Sequence, residues 1–238
     1  MSHIVSAIPR EPIHLNPAAE LADRVLLPGD PGRALAVARE LLDSPRMFNT
    51  RRGLWGYTGA APDGRPVTVQ STGMGGPSAA IVAEELIDMG ARTLVRIGTC
   101  GSLVEELRLG ALVPVAEALV ADGASRALGA DGRVAADPAL AGALADAAEG
   151  DPALVVSSDL FYDRRDDAAE GWRSAGAVAV EMETAAILQV ARLRGVRAGC
   201  LLGVSDELAA GRERIDAERL EAMGVRLGEV ALAALRTR

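Results

Sequence analysis

Apolar positions along this chain recur with two different periods, and the switches between them lay out its elements. Arg24-Val25-Leu26-Leu27 is a short apolar run stopped by Pro28-Gly29-Asp30-Pro31, after which residues 32–42 carry apolar side chains at helical spacing. That order predicts a strand, a turn and a helix. Residues 54–57 and 66–71 flank the turn residues Pro62-Asp63-Gly64 and predict a hairpin. Thr72-Gly73-Met74-Gly75-Gly76-Pro77-Ser78 then leads into a helix over 79–89, and residues 93–99 read as a buried strand. Further strands are predicted over 111–120, 154–156 and 198–204. Helices are predicted over 139–149, over the polar stretch 163–174, from Thr184 onward and over 216–235. Residues 1–20 are polar and spotted with Pro9, Pro12 and Pro17, which marks an N-terminal arm. Residues 21–238 show no internal repeat and no linker, and read as a single α/β domain.

Composition narrows the chemistry. With 49% hydrophobic residues in 238, the chain suits one sizeable core. Its 25 basic residues are all Arg, because no Lys occurs. A Schiff-base lysine and a P-loop lysine are therefore excluded, and any bound phosphate must be held by Arg, backbone N–H groups and hydroxyls. The net charge of -8 lacks the basic footprint that nucleic-acid binding needs. Cys100 and Cys200 stand far apart with no CxxC pair and no His cluster, so neither a disulfide framework nor a metal site is expected. No basic segment precedes an apolar leader, and no apolar run is long enough to span a bilayer. The expectation is a soluble, cytoplasmic protein without a membrane or nucleic-acid partner.

Charged residues in strand-end positions point to a ligand site, since ligands of α/β proteins dock at the carboxyl ends of strands. Four strand ends carry such residues: Gly29 and Asp30 with Arg33, Arg96 with Thr99, Glu181 with Glu183, and Ser205 with Asp206. Arg33 follows a glycine-containing turn, where backbone amides and a guanidinium can converge on one anion. Arg96 sits inside an apolar strand, where its charge needs an anion to offset desolvation. The two carboxylates of Val180-Glu181-Met182-Glu183 fall where a strand gives way to a helix; they suit a sugar hydroxyl or a metal, and equally the positive end of a helix dipole. Gly73 to Ser78 superficially resembles a dinucleotide fingerprint. Ser78 occupies the third glycine position, Pro77 alters the turn, and no acidic residue follows on the next strand, so a turn that brings backbone close to a sugar or base is the better reading.

Seven motifs occur in an order that resembles the nucleoside phosphorylase-I family. They are Pro28-Gly29-Asp30-Pro31-Gly32-Arg33-Ala34, Arg52-Gly53-Leu54-Trp55-Gly56-Tyr57-Thr58-Gly59, Gly73-Met74-Gly75-Gly76-Pro77-Ser78, Arg96-Ile97-Gly98-Thr99-Cys100-Gly101, Ser158-Asp159-Leu160-Phe161-Tyr162, Val180-Glu181-Met182-Glu183 and Val204-Ser205-Asp206. The likeness runs from about His14 to the end and is greatest to the hexameric bacterial purine nucleoside phosphorylases, with the uridine phosphorylases as siblings. It implies an α/β fold with a central mixed, twisted sheet flanked by helices. It also implies a pentosyltransferase needing no cofactor, with inorganic phosphate as co-substrate, and a dimer-based homohexamer with shared sites.

The resemblance also implies roles. Gly29, Arg33, Arg96 and Thr99 would hold phosphate, joined by Arg52 of a neighbouring subunit. Glu183 would accept hydrogen bonds from the ribose 2′- and 3′-hydroxyls with Met182 under the sugar. Phe161 would stack on the base, Glu181 and Val180 would line the base and sugar pocket with Ser205 at its edge, and His14 of the neighbour would meet the 5′-hydroxyl. Asp206 would give a proton to N7 of the purine, assisted by Arg219. Thr99 matches the uridine phosphorylase choice, whereas the purine enzymes more often have Ser. The loop after Phe161 lacks the Gln and Arg pair that reads uracil, and Asp206 favours a purine. Uridine phosphorylase and methylthioadenosine phosphorylase or nucleosidase remain the alternatives within the family. A catalytically silent nucleoside-binding protein and a dinucleotide-dependent oxidoreductase are alternatives of other classes.

Overall fold

A computed structural model describes residues 11–165, 167–208 and 213–236. The first parallel ladder forms where the apolar runs predict it. β1 (Arg24–Leu27) is buried along its length and lies between β4 (Pro66–Gln70) and β5 (Thr93–Ser102), parallel to both. α1 (Pro31–Leu41) links β1 to the antiparallel strands β2 (Asp43–Asn49) and β3 (Gly56–Ala60). Asp30 caps α1 by accepting from the Gly32 and Arg33 N–H groups, Pro31 occupies its first turn, and Ala34, Val37 and Ala38 turn one face inward. α2 (Gly76–Asp88) returns the chain to β5.

The second half closes the sheet on itself. β6 (Leu112–Ala121), β8 (Ala153–Ser158) and β9 (Ala179–Glu181) lie in that order. β9 pairs with β5, and β10 (Arg197–Glu207) pairs with both β5 and β6, so the five strands form a ring. The short β7 (Arg133–Ala135) hangs on β6, and β11 (Glu213–Arg214) on β10. The expected α/β domain with a mixed central sheet is thus present, and part of that sheet is closed. Closure removes two edges that would otherwise expose unpaired backbone groups. Helices α3 (Gly123–Ala127), α4 (Pro138–Ala148), α5 (Ala168–Ser174), α6 (Thr184–Arg194) and α7 (Ala217–Ala234) complete the fold. α6 is buried from Thr184 to Ala191 and ends at Gly195 with φ 66°, a left-handed cap that glycine adopts freely.

Several elements depart from the sequence reading, among them the unpredicted α3, β7 and β11 and a β5 that runs past residue 99 to Ser102. β2 was not expected, because its first five residues are exposed and include Pro45, the pattern of an edge strand without an apolar alternation. β10 runs past the predicted Val204 to Glu207, across a bulge between Val204 and Asp206. The polar stretch 163–174 is helical only from Ala168. Residues 11–20 of the arm contain no helix or strand but are anchored, with Leu15 buried; residues 1–10 lie outside the described ones.

Candidate active site

The carboxyl ends of β1 and β4 are tied together: Thr72 N–H donates to Pro28 C=O at 2.9 Å and Gly73 N–H to Gly29 C=O at 3.0 Å. A Cβ at Gly29 would only just touch the Gly73 carbonyl, at 3.4 Å. Gly73 and Gly75 hold φ of 73° and 88°, which a side chain would strain. From that conformation the Gly75 N–H donates to the Glu183 carboxylate at 2.5 Å. The glycine-rich turn therefore meets Glu183 directly.

Arg96 is 3% exposed in the middle of β5. Because β9 runs antiparallel to β5, with Val180 opposite Gly101, each residue beyond Val180 steps back along β5 toward Arg96. Arg96 Nη2 lies 2.6 Å from Glu183 and 2.9 Å from Glu181, and Nε donates to Glu181 at 2.9 Å and to the Thr184 hydroxyl at 3.2 Å. Nη1 is buried with no hydrogen-bond partner. A Cβ at Gly98 would stand 2.6 Å from Nη2, so the guanidinium folds back over its own strand across a position that only glycine leaves open.

Arg33 extends from the first turn of α1 to the same region, its Nη1 3.5 Å from the Ile97 carbonyl. Burial, and then the charge of Arg96, pull the Arg33 guanidinium below its ordinary value, while Asp30 and Glu183 act the other way. Burial opposes the charge on Arg96 too, but Glu183 and Glu181 outweigh it and hold that guanidinium above its ordinary value. Burial pushes the Glu183 carboxyl up, against the pull of Arg96 and with the help of Glu181. A half-buried cation beside a buried one that keeps a free nitrogen forms an arrangement that an anion stabilises. Half-buried Thr99 lies on the same strand as Arg96.

Glu181 departs from its expected place in the pocket wall. Its side chain has no exposure, and its oxygens accept from Ser157 Oγ, from Arg96 and from the N–H groups of Glu183 and Thr184. Those last two N–H groups begin α6, so the helix N-terminus shares in neutralising it. Val180 and Met182 are half-buried on either side. The cysteines are buried free thiols, and burial pushes Cys200 up to about 12, which keeps it protonated.

Asp206 follows the β10 bulge. Its carboxylate accepts from Ser205 Oγ at 2.7 Å and lies 3.0 Å from Arg214 Nε. The second partner differs from the expected Arg219. Antiparallel pairing of β10 with β11 sets Arg214 directly opposite Asp206, whereas Arg219 is exposed in the first turn of α7, its backbone N–H capped by Asp216 at 2.8 Å. Arg214 had no signal in the sequence, because its two-residue strand carries no apolar pattern.

Phe161 is 60% exposed and meets Tyr162 edge to face, with ring centroids 5.0 Å apart. Arg52 is exposed in a tight turn before β3 with φ 60°, an uncommon conformation for a side-chain-bearing residue. His14 Nδ1 lies 2.7 Å from Glu85, which also accepts from the N–H groups of Ile13, His14 and Leu15 and so anchors the arm to α2. A groove of about 700 Å³ between α1 and α7 holds Arg39 and Glu218 but none of the paired side chains described above. Among the described residues no group of His, Cys, Asp or Glu could hold a metal ion, and no helix is long and apolar enough to cross a membrane.

Arg33 on α1, Arg96 within β5 and the Glu183 carboxylate beyond β9 come together inside an α/β fold. The chain belongs to the phosphorylase superfamily, whose family model matches residues 23–236. It is 37% identical over 230 residues to a purine nucleoside phosphorylase of the DeoD type from Clostridium beijerinckii, covering 92% of this chain and 96% of the relative. A protein of the same description from Jannaschia is 36% identical over 93% of this chain and 98% of its own length. One from Geobacillus kaustophilus is 38% identical over 84% of this chain and 87% of its own.

Proposed function

We propose that this protein is a purine nucleoside phosphorylase. It uses inorganic phosphate to cleave the N-glycosidic bond of purine ribo- and deoxyribonucleosides, releasing the free base and the pentose 1-phosphate. The observation that carries the reading is half-buried Arg33 beside fully buried Arg96, with the Glu183 carboxylate against Arg96. Cleavage leaves positive charge on the sugar and negative charge on the base, so the site should set anions beside one and a proton donor beside the other. Phosphate on Gly29, Arg33, Arg96, Thr99 and a neighbour's Arg52 supplies one anion and the nucleophile. Glu183 supplies the other anion while accepting from the ribose hydroxyls, with Met182 and Val180 beside the sugar.

Asp206 is the proton donor to purine N7, held by Ser205 and attended by an arginine, either Arg214 or Arg219. Phe161 stacks on the base, and His14 of a neighbour meets the 5′-hydroxyl. The reaction uses no cofactor beyond phosphate as co-substrate. The working form is a homohexamer of dimers with shared sites, acting in purine salvage in the cytoplasm. Names of the relatives above support the same activity.

The test is a panel of adenosine, inosine, guanosine, methylthioadenosine and uridine, each with and without phosphate. Purine nucleosides should react only with phosphate and yield the pentose 1-phosphate. Equal rates in phosphate-free buffer would reject the reading in favour of a hydrolase.

A further inference from the structure

We propose that Ser157 and Glu181 are positioning residues for Arg96, forming a fixed relay that leaves a single nitrogen of its guanidinium to meet phosphate. The inference rests on the reading of Arg96 as a phosphate donor and concerns how that donor is held. Ser157, at the carboxyl end of β8, is fully buried. Its Oγ accepts from the Ala185 N–H at 2.9 Å, which leaves the hydroxyl hydrogen directed to the Glu181 carboxylate it contacts. Glu181 Oε2 in turn takes Nε and Nη2 of Arg96, each at 2.9 Å. Thr184 Oγ1 takes Nε from the other side at 3.2 Å and is itself 3.3 Å from Cys200 Sγ.

Every group on the Glu181 side of the guanidinium is thus tied to a strand or to the first turn of α6. Glu183 is the partner nearer to solvent, with 7% of its side chain exposed against none for Glu181. Nη1 remains, buried and unpartnered. A buried N–H donor left open in this way costs stability until an acceptor arrives, so its retention marks the place where the ligand bonds. A purely structural cluster would satisfy all five guanidinium hydrogens; this one satisfies those on one edge and holds the rest ready.

The experiment is phosphate titration by calorimetry of the full-length protein, together with steady-state kinetics, for Ser157→Ala, Arg96→Lys and the double variant. Ser157→Ala should weaken phosphate binding about tenfold, the worth of one hydrogen bond to a charged group, while the nucleoside Michaelis constant changes less than about twofold. In the Arg96→Lys background, which lacks Nε and the planar fork, Ser157→Ala should add nothing. If Ser157→Ala fails to fold, Ser157→Cys, with its weaker S–H donor, should fall between the parent and a tenfold loss. The relay is overturned if Ser157→Ala shifts both substrates equally, or if its effect persists in the lysine background. If Arg96→Lys itself leaves phosphate binding unchanged, the phosphate site is misplaced and the relay falls with it.

Discussion

Arg96 Nη2 lies 2.6 Å from the Glu183 carboxylate, so the cation assigned to phosphate and the anion assigned to ribose neutralise each other before either meets a substrate. Removing one should release the other. Glu183→Gln is expected to bind phosphate roughly tenfold more tightly, because a close opposing charge is worth at least ~1.4 kcal/mol where water is excluded, and to bind nucleoside more weakly. Calorimetric titration of each ligand alone checks this, and unchanged or weaker phosphate binding would count against it.

Asp206→Asn should lower turnover on purine nucleosides by about 10²–10⁴, the usual worth of a positioned general acid. Nucleosides methylated at N7 need no proton on leaving and should lose far less. Arg214→Ala and Arg219→Ala, assayed beside it, report which arginine attends the acid during reaction. An equal loss on both substrate types would give Asp206 a structural role instead.

Gly98→Ala would bring a methyl carbon to 2.6 Å from Arg96 Nη2 and 3.0 Å from Leu202 Cδ2. The expected result is a loss of about 1–3 kcal/mol of stability together with weakened phosphate binding. Gly142, inside α4 with nothing within 4 Å of the added carbon, is the control: Gly142→Ala should raise stability by about 0.5–1 kcal/mol. Denaturant unfolding of both variants measures the contrast.

Acid should loosen the hairpin between β3 and β4 by way of Asp63. Its hydrogen bond to Arg24, at 2.7 Å, holds the carboxyl down to about 2, against an ordinary value of 3.8. A carboxyl lowered by folding contributes stability that is complete above its unfolded value and lost as pH falls through its folded one. Asp63→Asn should therefore be less stable than the parent near neutrality, and the difference should shrink between about pH 4 and 2. Melting temperatures across that window test the sign; a constant difference would exclude it.

The proposed sharing of sites between subunits makes an uncommon demand on mixtures. Arg52→Ala and Arg96→Ala should each be nearly inactive, yet recover activity when refolded together. Each hybrid dimer would carry one site with both defects and one with none, so random pairing leaves about a quarter of sites intact. Native mass spectrometry confirms the hybrids, and hybrids that remain inactive would place Arg52 in its own chain's site.

Much of this site was legible because charge in an apolar strand is conspicuous. Arg96 called for an anion, and Glu183 and Asp206 stood at strand ends where apolar runs stop. The sequence could not show which anion Arg96 meets first, since Glu181 lies 85 residues away in the chain and only the antiparallel return of β9 brings it near. Ser157 was hidden for a related reason: in an apolar strand one serine looks like any other until its partners are known. Ring closure of the sheet was equally invisible, because hydrophobic runs report burial and not which neighbour each strand takes. β2 and β11 are exposed edge segments without an apolar alternation, and Arg214 went unnoticed along with β11.

The close seating of α1 on α7 ties the two ends of the chain to one task. A Cβ at Gly224 would come within 3.0 Å of the Arg33 side-chain stem, and one at Gly228 within 2.8 Å of Leu41. The stem of Arg33, the arginine proposed to hold phosphate, thus rests on a helix that begins just past the strand facing Asp206. A shift of α7 along its axis is expected to tilt Arg33 and move the segment around Asp206 together, as one beam loads two bearings. If Arg33 and Asp206 act as proposed, substitutions on this helix should retune anion capture and proton delivery together, which makes the C-terminal helix the place to look for variants with altered turnover and an unaltered site.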